Sequence, residues 1–445
     1  MPGNNLAILT HTINSNIVQL FTLLKKDNRD VQMVYYQAGI GTYTSPNIAT
    51  PLMAKVSKTL DEMVAWNLDR HVMDGYEFLM QNYKAGDRIC IFGFSRGAYT
   101  ARALAGMIHK VGLLPACNHQ QVPFAYKMFK RADETGWQQS NAFKKAFSVD
   151  VDIEFIGVWD TVNSVGLIPR RLPFTTSNTI VRTFRHAVAL DERRAKFKPN
   201  LWNRPNPKEQ TLSASDRNRK AHKKHANSTT PRLKALERKY TKDHSRQTDV
   251  EEHSLARIPL RWMIRECFKT HTGIMFDCEG LQALGLDPGA LYPEVLPRPP
   301  MAPPTGTLRI QDIPKPISGA PDEAHLPNFA DVGGYSSALY KSEEDHDVLD
   351  LLSPVYDQLS LAPYWWLLEV LPMKQRYQKG DNSWGSYVGF NLGGGRFIPK
   401  QKKRGVKIHR SVKMRMEALH SNGAKYVPRA SFEKAPAAGT VQWVD

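Results

Sequence analysis

The chain has 445 residues, 41% of them hydrophobic, and this composition excludes a protein that is disordered throughout. The 60 Lys and Arg outnumber the 43 Asp and Glu, and the resulting formal charge of +17 favours an anionic partner such as a phospholipid surface, a phosphorylated substrate or nucleic acid. The four cysteines show no paired-motif spacing, which is typical of a reduced intracellular protein. The sequence has no apolar run of about eighteen residues and no secretory signal, so we expect a protein that is cytoplasmic or peripheral to membranes, without a transmembrane segment.

Helical and strand-like patterns alternate along the chain. Residues 16–24 have the apolar spacing of a helix, and residues 31–36 predict a strand that is followed by a tight loop with Gly39 and Gly41. Further predicted elements are a long helical region over 56–83, a buried strand over 153–159 and a helix over 255–268. Strands separated by helical tracts predict an α/β fold, with a mostly parallel sheet and helices on both faces.

The most informative stretch is residues 88–108, where an apolar strand, a Gly-x-Ser-x-Gly turn and an amphipathic helix follow in unbroken order. This context predicts a nucleophile elbow with Ser95 exposed at its tip. Because a sharp turn from strand to helix needs small residues, we expect a Cβ atom at Gly93 or Gly97 to collide with neighbouring elements. The amide of Arg96 would donate to an oxyanion on a bound acyl group. The alternative is a surface serine in a glycine-rich turn.

Serine acyl transfer also needs a base that takes the hydroxyl proton and a carboxylate that orients this base, and in this fold the chain order is serine, acid, histidine. Asp160 directly follows the predicted strand 153–159, at the carboxyl end where α/β sheets place their chemistry. We therefore interpret Asp160 as the acid. A carboxylate that caps a helix or turn is the alternative.

Composition marks three later regions. Residues 204–246 contain thirteen Lys or Arg against four Asp or Glu, which is typical of a solvated, mobile insertion. Contact with an anionic membrane or nucleic acid is the functional alternative, and the lack of interleaved aromatic residues makes nucleic acid an unfavoured partner. Residues 288–327 are proline-rich and predict an extended linker. The aromatic segment 364–371 is either core or a lipid-facing patch, and we favour core.

Several segments together resemble the motifs of one family, the α/β-hydrolase catalytic domains similar to type VI secretion phospholipase effectors. These segments are residues 35–43, 93–102, 155–162, 185–194 and 255–263, with 356–361 and 391–400 resembling the tail of a eukaryotic, chiefly fungal branch. The resemblance implies a serine esterase that acts on lipid acyl esters, with Ser95 as nucleophile and Asp160 as triad acid. We assign Gly39, Gly41 and Arg96 to oxyanion or substrate binding. The family requires no metal in this branch, and the glycine runs do not fit a dinucleotide site, so we expect no cofactor.

The chain departs from the family pattern at its start. The family opens with a strand carrying Asp-Gly-Thr-x-Asn before the helix that matches residues 16–24, and residues 1–15 lack this motif. The sequence therefore predicts an α/β-hydrolase-like sheet that is incomplete at its first strand.

A second departure concerns the triad histidine. In the family it belongs to a His-x-Asp-Val-Gly-Gly-Gly segment directly before the helix that matches 255–268, and this chain has no such segment there. Residues 331–335 imitate the motif but follow that helix, and Phe329 stands in place of the histidine. His253 is the best substitute by position, and an exposed residue at a helix start is the alternative.

The sequence thus predicts five parts: a hydrolase core with the elbow over 1–203, a basic flexible insertion over 204–252, continued core over 253–287, a proline-rich linker or loop region over 288–345, and a family-specific extension over 346–445. The favoured function is hydrolysis of lipid acyl esters by a Ser-Asp-His mechanism, with the basic surface approaching anionic headgroups. A catalytically inactive relative that binds a lipid or protein is the alternative, and nucleic-acid binding ranks last.

Overall fold

A parallel sheet of three strands lies at the centre of the fold. The computed structural model describes residues 15–38, 53–162, 172–202, 253–300, 307–313, 342–379, 384–399, 406–432 and 441–445. Within these residues β1 (Ile89–Phe94), β2 (Ile153–Trp159) and β3 (Val181–Ala187) are neighbours in that order. Phe94 lies opposite Trp159, and Trp159 opposite Ala187, so the three strands end together at one edge.

Four helices cover one face of this sheet: α2 (Met53–Asn82), α3 (Arg96–Val111), α4 (Val122–Lys130) and α5 (Glu134–Phe147). Their apolar side chains form a buried cluster with Ile156 and Val158 of β2. Met107 and Ile108 of α3 are fully buried in this cluster. The amphipathic pattern after the Gly-x-Ser-x-Gly turn therefore faces the sheet, as a crossover helix between parallel strands must.

The second face carries α1 (Asn16–Leu23), α6 (Arg257–Lys269), α7 (Cys278–Ala283) and α8 (Pro288–Leu291). Phe155 and Trp159 point to this side, opposite to Ile156 and Val158, because side chains alternate along a strand. Helices on both faces of a parallel sheet confirm the predicted α/β class. The predicted helices at 16–24, 56–83 and 255–268 and the strand at 153–159 are also confirmed.

The strand predicted over residues 31–36 is wrong, since residues 32–38 have no regular secondary structure. An apolar pattern makes a strand only where the backbone finds a neighbouring strand, and no described strand pairs with this segment. The side chain of Gln32 instead meets the backbone of Met275: its Nε2 donates to the carbonyl at 2.9 Å, and its Oε1 accepts from the N–H at 2.8 Å.

The region after residue 342 combines short helices with paired strands. The helices are α9 (Glu343–Leu352), α10 (Gln358–Leu361), α11 (Trp366–Glu369) and α12 (Arg410–Glu417). An antiparallel pair is formed by β4 (Met373–Gln378) and β5 (Trp384–Gly389). Two short parallel pairs join β6 (Phe397–Ile398) to β8 (Ser431–Phe432) and β7 (Val406–His409) to β9 (Val441–Val444). Short 3-10 turns occur at His119–Gln121, Ala195–Phe197 and Pro363–Trp365.

Buried ion pairs join α9 to α6. Arg261 lies 2.5 Å from a carboxylate oxygen of Asp347 and 2.5 Å from one of Asp350, and all three side chains are almost completely buried. Arg265 pairs with Glu343 at 2.8 Å. Buried charges are tolerated only when each finds partners, so these pairs fix the position of α9 on the core.

Part of the predicted proline-rich linker belongs to a core instead. Leu308 and Ile310 are buried in a cluster with Ile258 of α6 and Leu351 of α9. The composition of residues 288–327 predicted an extended linker. Burial of these two apolar side chains instead holds this part of the segment against the core. The predicted division of the chain into five parts is otherwise untested and stays a prediction.

The interpretation of residues 364–371 as core is wrong. Tyr364 is 72% exposed and Leu367 59% exposed, and in this segment only Glu369 is buried. The 204–246 run and residues 331–335 lie outside the described residues. Among the helices that the structure describes, none combines the length and the apolar character needed to cross a membrane.

Candidate active site

Ser95 occupies the turn between β1 and α3. Its backbone has φ 55° and ψ −116°, a conformation that non-glycine residues rarely adopt. The N–H group of Ser95 donates to the carbonyl of Trp159 at 2.9 Å, so the turn is tied to the end of β2. The hydroxyl makes no capping bond to α3. Backbone strain of this kind is a frequent property of functional sites.

The two glycines of the turn differ in what they contact. A Cβ atom on Gly93 would lie 2.5 Å from the carbonyl oxygen of Gly97 and 2.6 Å from the Cα atom of Ala98. A Cβ atom on Gly97 would have no described atom within 4 Å. The steric prediction therefore holds at Gly93 and is wrong at Gly97, because this glycine faces away from β1 at the start of α3.

This contrast gives a matched pair of variants. We expect Gly93→Ala to lower the free energy of unfolding by about 3 kcal/mol or more, because its methyl group meets backbone atoms that cannot rotate away. Gly97→Ala should cost no stability, and alanine favours the helical backbone here by up to about 1 kcal/mol over glycine. Urea denaturation of both variants measures the difference, and equal costs would show that the strand-to-helix turn is not packed as described.

Arg96 is the first residue of α3, a helix of 16 residues. The first amides of a helix have no partner within it, and the helix dipole adds partial positive charge at this end. The N–H group of Arg96 thus belongs to the set of donors beside Ser95. A tetrahedral oxyanion at Ser95 would find such a donor ready in place.

Asp160 follows β2 directly and lies beside the elbow. Its φ of 48° makes it, like Ser95, a non-glycine residue in the left-handed region. The N–H group of Asp160 donates to Ala187 at the end of β3 at 2.8 Å. Its Oδ1 accepts from the N–H group of Ala189 at 2.7 Å. The serine and the carboxylate are therefore placed by adjacent strand ends.

Arg396 is a site residue that the sequence reasoning did not identify. Its Nη1 donates to Oδ1 of Asp160 at 2.6 Å and to the carbonyl of Ala189 at 2.9 Å. Its Nη2 donates to the carbonyl of Phe197 at 2.9 Å, and the side chain is 1% exposed. The sequence of residues 391–400 indicated only a resemblance to the tail of the family. No local pattern in it predicts a contact with a residue 236 positions earlier.

Both hydrogen bonds that described residues make to the Asp160 carboxylate fall on Oδ1. No group of the described residues donates a hydrogen bond to Oδ2. The triad acid of a serine hydrolase uses one oxygen for support and the other to hold the histidine. Among the described residues, the carboxylate of Asp160 is therefore held through one oxygen, and its role as triad acid stays a prediction.

His186 supports the chain just after Asp160. Its Nε2 accepts a hydrogen bond from the N–H group of Thr161 at 3.1 Å. Burial, together with the positive charges of Arg102 and Arg396, holds the pKa of His186 well below its usual range. The ring is therefore neutral at pH 7 and acts here as an acceptor that orders the backbone.

His253 lies near the start of α6, where its Nδ1 is 3.3 Å from Oδ1 of Asp350. Oδ1 also accepts from the N–H group of Ser254 at 2.9 Å. The indole of Trp159 donates to the carbonyl of Pro259 at 3.2 Å, which places the beginning of α6 against the end of β2. The structure thus joins Ser95 to the strand end that carries Asp160 and gives His253 a different carboxylate; the role of His253 stays a prediction. Gly39 and Gly41 lie outside the described residues.

The cysteines are free thiols in the described structure. All four cysteines are free, and burial raises the pKa of the Cys90 thiol to about 12. In the part of the chain that the structure describes, no three His, Cys, Asp or Glu side chains are grouped to hold a metal ion.

Comparison with known proteins assigns the chain to a family. Residues 3–266 match the family described as T6SS, Phospholipase effector Tle1-like, catalytic domain. The chain is 41% identical over 199 residues to Uncharacterized protein YEL023C of Saccharomyces cerevisiae, a match that covers 41% of this chain and 29% of the yeast protein. No solved structure matches the chain. Since the family match covers more than half of the sequence and includes Ser95 and Asp160, the chain belongs to the family of Tle1-like phospholipase effector catalytic domains.

Proposed function

We propose that the chain is a serine hydrolase of the α/β-hydrolase type that cleaves lipid acyl esters. One observation carries the proposal: Ser95 stands in a strained turn between β1 and α3 while Asp160 follows the adjacent strand end. That arrangement, in a chain of a phospholipase effector family, has the features of a nucleophile elbow with its acid. The match covers only 29% of the yeast relative. An activity of this chain is therefore part of the proposal.

In the proposed reaction, the hydroxyl of Ser95 attacks the ester carbonyl while a base removes its proton. The oxyanion that forms is stabilised by the N–H group of Arg96, with Gly39 and Gly41 as further contributors to oxyanion or substrate binding. Collapse of this intermediate expels the alcohol, which receives the proton from the base, and leaves an acyl group on Ser95. Water, deprotonated by the same base, then releases the fatty acid and restores the serine.

The base is assigned to His253. Its Nδ1 lies 3.3 Å from Oδ1 of Asp350, and Nε2 is the nitrogen that we assign to proton transfer. The proposal keeps Asp160 as the triad acid, and Asp350 is a second carboxylate close to the same histidine. General-base activation contributes about a hundredfold or more to rate, so His253→Ala should lower turnover by about that factor.

The surroundings of Ser95 favour an apolar acyl group. Phe94, its neighbour at the end of β1, is 43% exposed although the rest of the strand is largely covered. An exposed aromatic ring beside the nucleophile gives an acyl chain a surface to contact. The net charge of +17 adds attraction for anionic headgroups.

A fluorophosphonate probe tests the proposal. It reacts with activated serines, so we expect one labelled site, located by mass spectrometry at Ser95, and hydrolysis of short-chain and phospholipid esters. The matched variants are His253→Ala and His346→Ala, since the two rings lie 5.7 Å apart and only His253 is assigned as base. A folded protein that is neither labelled nor active refutes the proposal.

One observation favours the second candidate, a catalytically inactive relative that binds a lipid or protein. The Oδ1 atom of Asp160 is bound by a buried arginine, and the Nδ1 atom of His253 faces a different carboxylate. The predicted base therefore lies beside Asp350, and not beside the predicted acid Asp160. This candidate predicts lipid binding that is the same in the native chain and in Ser95→Ala, without turnover in either.

A further inference from the structure

A group of large apolar side chains is exposed on one surface of the C-terminal region. We call it the apolar platform; it comprises Tyr364, Leu367, Val370, Leu371, Phe390 and Leu392, which are 45–72% exposed. Its two segments are adjacent, because the N–H groups of Asn391 and Leu392 both donate to the carbonyl of Glu369, at 3.2 and 3.1 Å. The backbone thus brings the two segments of exposed apolar residues together. Exposed apolar surfaces of this kind mark interaction sites.

The platform is held firmly from below. Glu369 is completely buried, and its carboxylate accepts from the N–H groups of Ala195 at 2.7 Å and Gly393 at 3.0 Å. The indole of Trp366 donates to the carbonyl of Leu359 at 3.1 Å. The polar groups are thus satisfied inward, and the apolar groups are presented outward by an ordered backbone.

Two lysines are exposed in the described part of the chain that follows the platform's first segment. Lys374 and Lys379 are exposed, and Lys374 lies opposite Val388, which is 72% exposed. Between residues 354 and 399 the described carboxylates are Asp357 and Glu369, and both are drawn inward, with Asp357 bound by Arg193 at 2.5 Å. Within the described part of this surface, lysines therefore border the apolar groups without an exposed carboxylate.

The platform shares a scaffold with Asp160. The ring of Trp365 lies 5.5 Å from the ring of Phe197, and the guanidinium of Arg194 lies over both rings. The carbonyl of Phe197 in turn accepts from Arg396, the partner of Asp160. A ligand seated on the platform would thus lie on the same framework as the strand ends that carry the site.

We infer that the apolar platform docks onto the surface of an anionic phospholipid bilayer. The tyrosine suits the boundary between headgroups and acyl chains, the leucines and the phenylalanine insert below it, and lysines pair with anionic headgroups. Each lysine near such a surface adds attraction of about fivefold in binding. A second copy of the chain fits less well, because both partners would carry +17. The inference adds a docking surface to the proposed function, and its test needs no hydrolysis.

Vesicle co-sedimentation tests the inference with the full chain carrying Ser95→Ala, so that the lipid stays intact. We use vesicles of phosphatidylcholine with and without phosphatidylserine, and we expect binding to the anionic vesicles. Tyr364→Ser with Leu367→Ser should weaken this binding about tenfold or more. Lys374→Glu should reduce the preference for phosphatidylserine. These side chains are exposed, so melting temperatures should stay unchanged and show that the variants fold.

The matched control is Phe124→Ser with Phe147→Ser, which removes two aromatic rings of similar exposure (53% and 57%) from α4 and α5. This control should bind vesicles as the parent does. Equal binding by platform and control variants would overturn the inference, as would a parent chain that binds neither vesicle. Self-association that the platform variant abolishes, without vesicle binding, would overturn it in favour of a second copy. Hydrolysis measured separately on the Ser95 chain distinguishes failure of docking from failure of the proposed function.

Discussion

Ser95→Ala is expected to lower the kcat/KM of acyl-ester hydrolysis by about 10⁴-fold or more. The hydroxyl oxygen is the atom that would bond to the acyl carbon, and water cannot occupy its place with the same orientation. The remaining groups, including the N–H of Arg96, still bind a polarised carbonyl and leave a small residual rate. Initial rates, measured first on a short-chain ester and then on a phospholipid in vesicles, give the ratio of kcat/KM between the native chain and the variant.

The stability of this variant should not fall. Ser95 makes no capping bond to α3 through its hydroxyl, so alanine loses no hydrogen bond there. Thr100→Ala is the matched control, because Thr100 lies one turn along α3 and its hydroxyl donates to the carbonyl of Arg96 at 3.2 Å. It should keep activity. Substantial hydrolysis by Ser95→Ala would assign the chemistry to another nucleophile and refute the elbow.

Local geometry was the part of the site that the sequence predicted well. The strand, the turn and the helix around Ser95 can be predicted from residues that are close in sequence. Gly93 and Ala98, for example, approach each other closely and are only five positions apart. The position of Asp160 follows from the same logic, because parallel strands end at a common edge. The helices on both faces were likewise encoded in short-range periodicity.

Long-range partners were beyond such reasoning. Arg396 reaches Asp160 across 236 positions, and the ion pairs of Arg261 cross 86 and 89 positions. No local pattern specifies which buried guanidinium meets which carboxylate. The same limit explains the wrong strand at 31–36, where the pattern was right for a strand but no described strand lies beside it.

The aromatic segment 364–371 shows a different limit. An apolar run indicates that a surface is suited to leave water, but not whether the chain itself covers that surface. Here the buried member is the carboxylate of Glu369, which accepts three hydrogen bonds from two segments, one at Ala195 and one at Asn391 and Gly393. A charged residue in an aromatic run would ordinarily be predicted to face solvent. The structure shows the reverse, with the carboxylate buried and the apolar side chains exposed.

Arg396→Met is expected to lower the free energy of unfolding by about 3 kcal/mol. The guanidinium is 1% exposed and serves three acceptors, on Asp160, Ala189 and Phe197. Methionine fills most of the volume but leaves these acceptors without their donor. Asp160 keeps only the N–H group of Ala189, and its carboxylate loses the charge beside it. Urea denaturation with the native chain as reference measures the loss.

Arg182→Met is the control for Arg396→Met, since Arg182 also pairs with a carboxylate, that of Glu154 at 3.0 Å, but is 58% exposed. Solvent screens such a pair, and its loss should cost less than about 0.5 kcal/mol. Combining Arg396→Met with Asp160→Asn completes a double-mutant cycle, in which direct contact predicts a coupling of about 1 kcal/mol or more. Additive losses would show that Arg396 acts only through the backbone carbonyls of Ala189 and Phe197. If the losses are coupled and kcat falls by more than KM changes, Arg396 is a positioning residue for Asp160. A purely structural role would lower the fraction of folded molecules but would not slow the chemical step in those that remain folded.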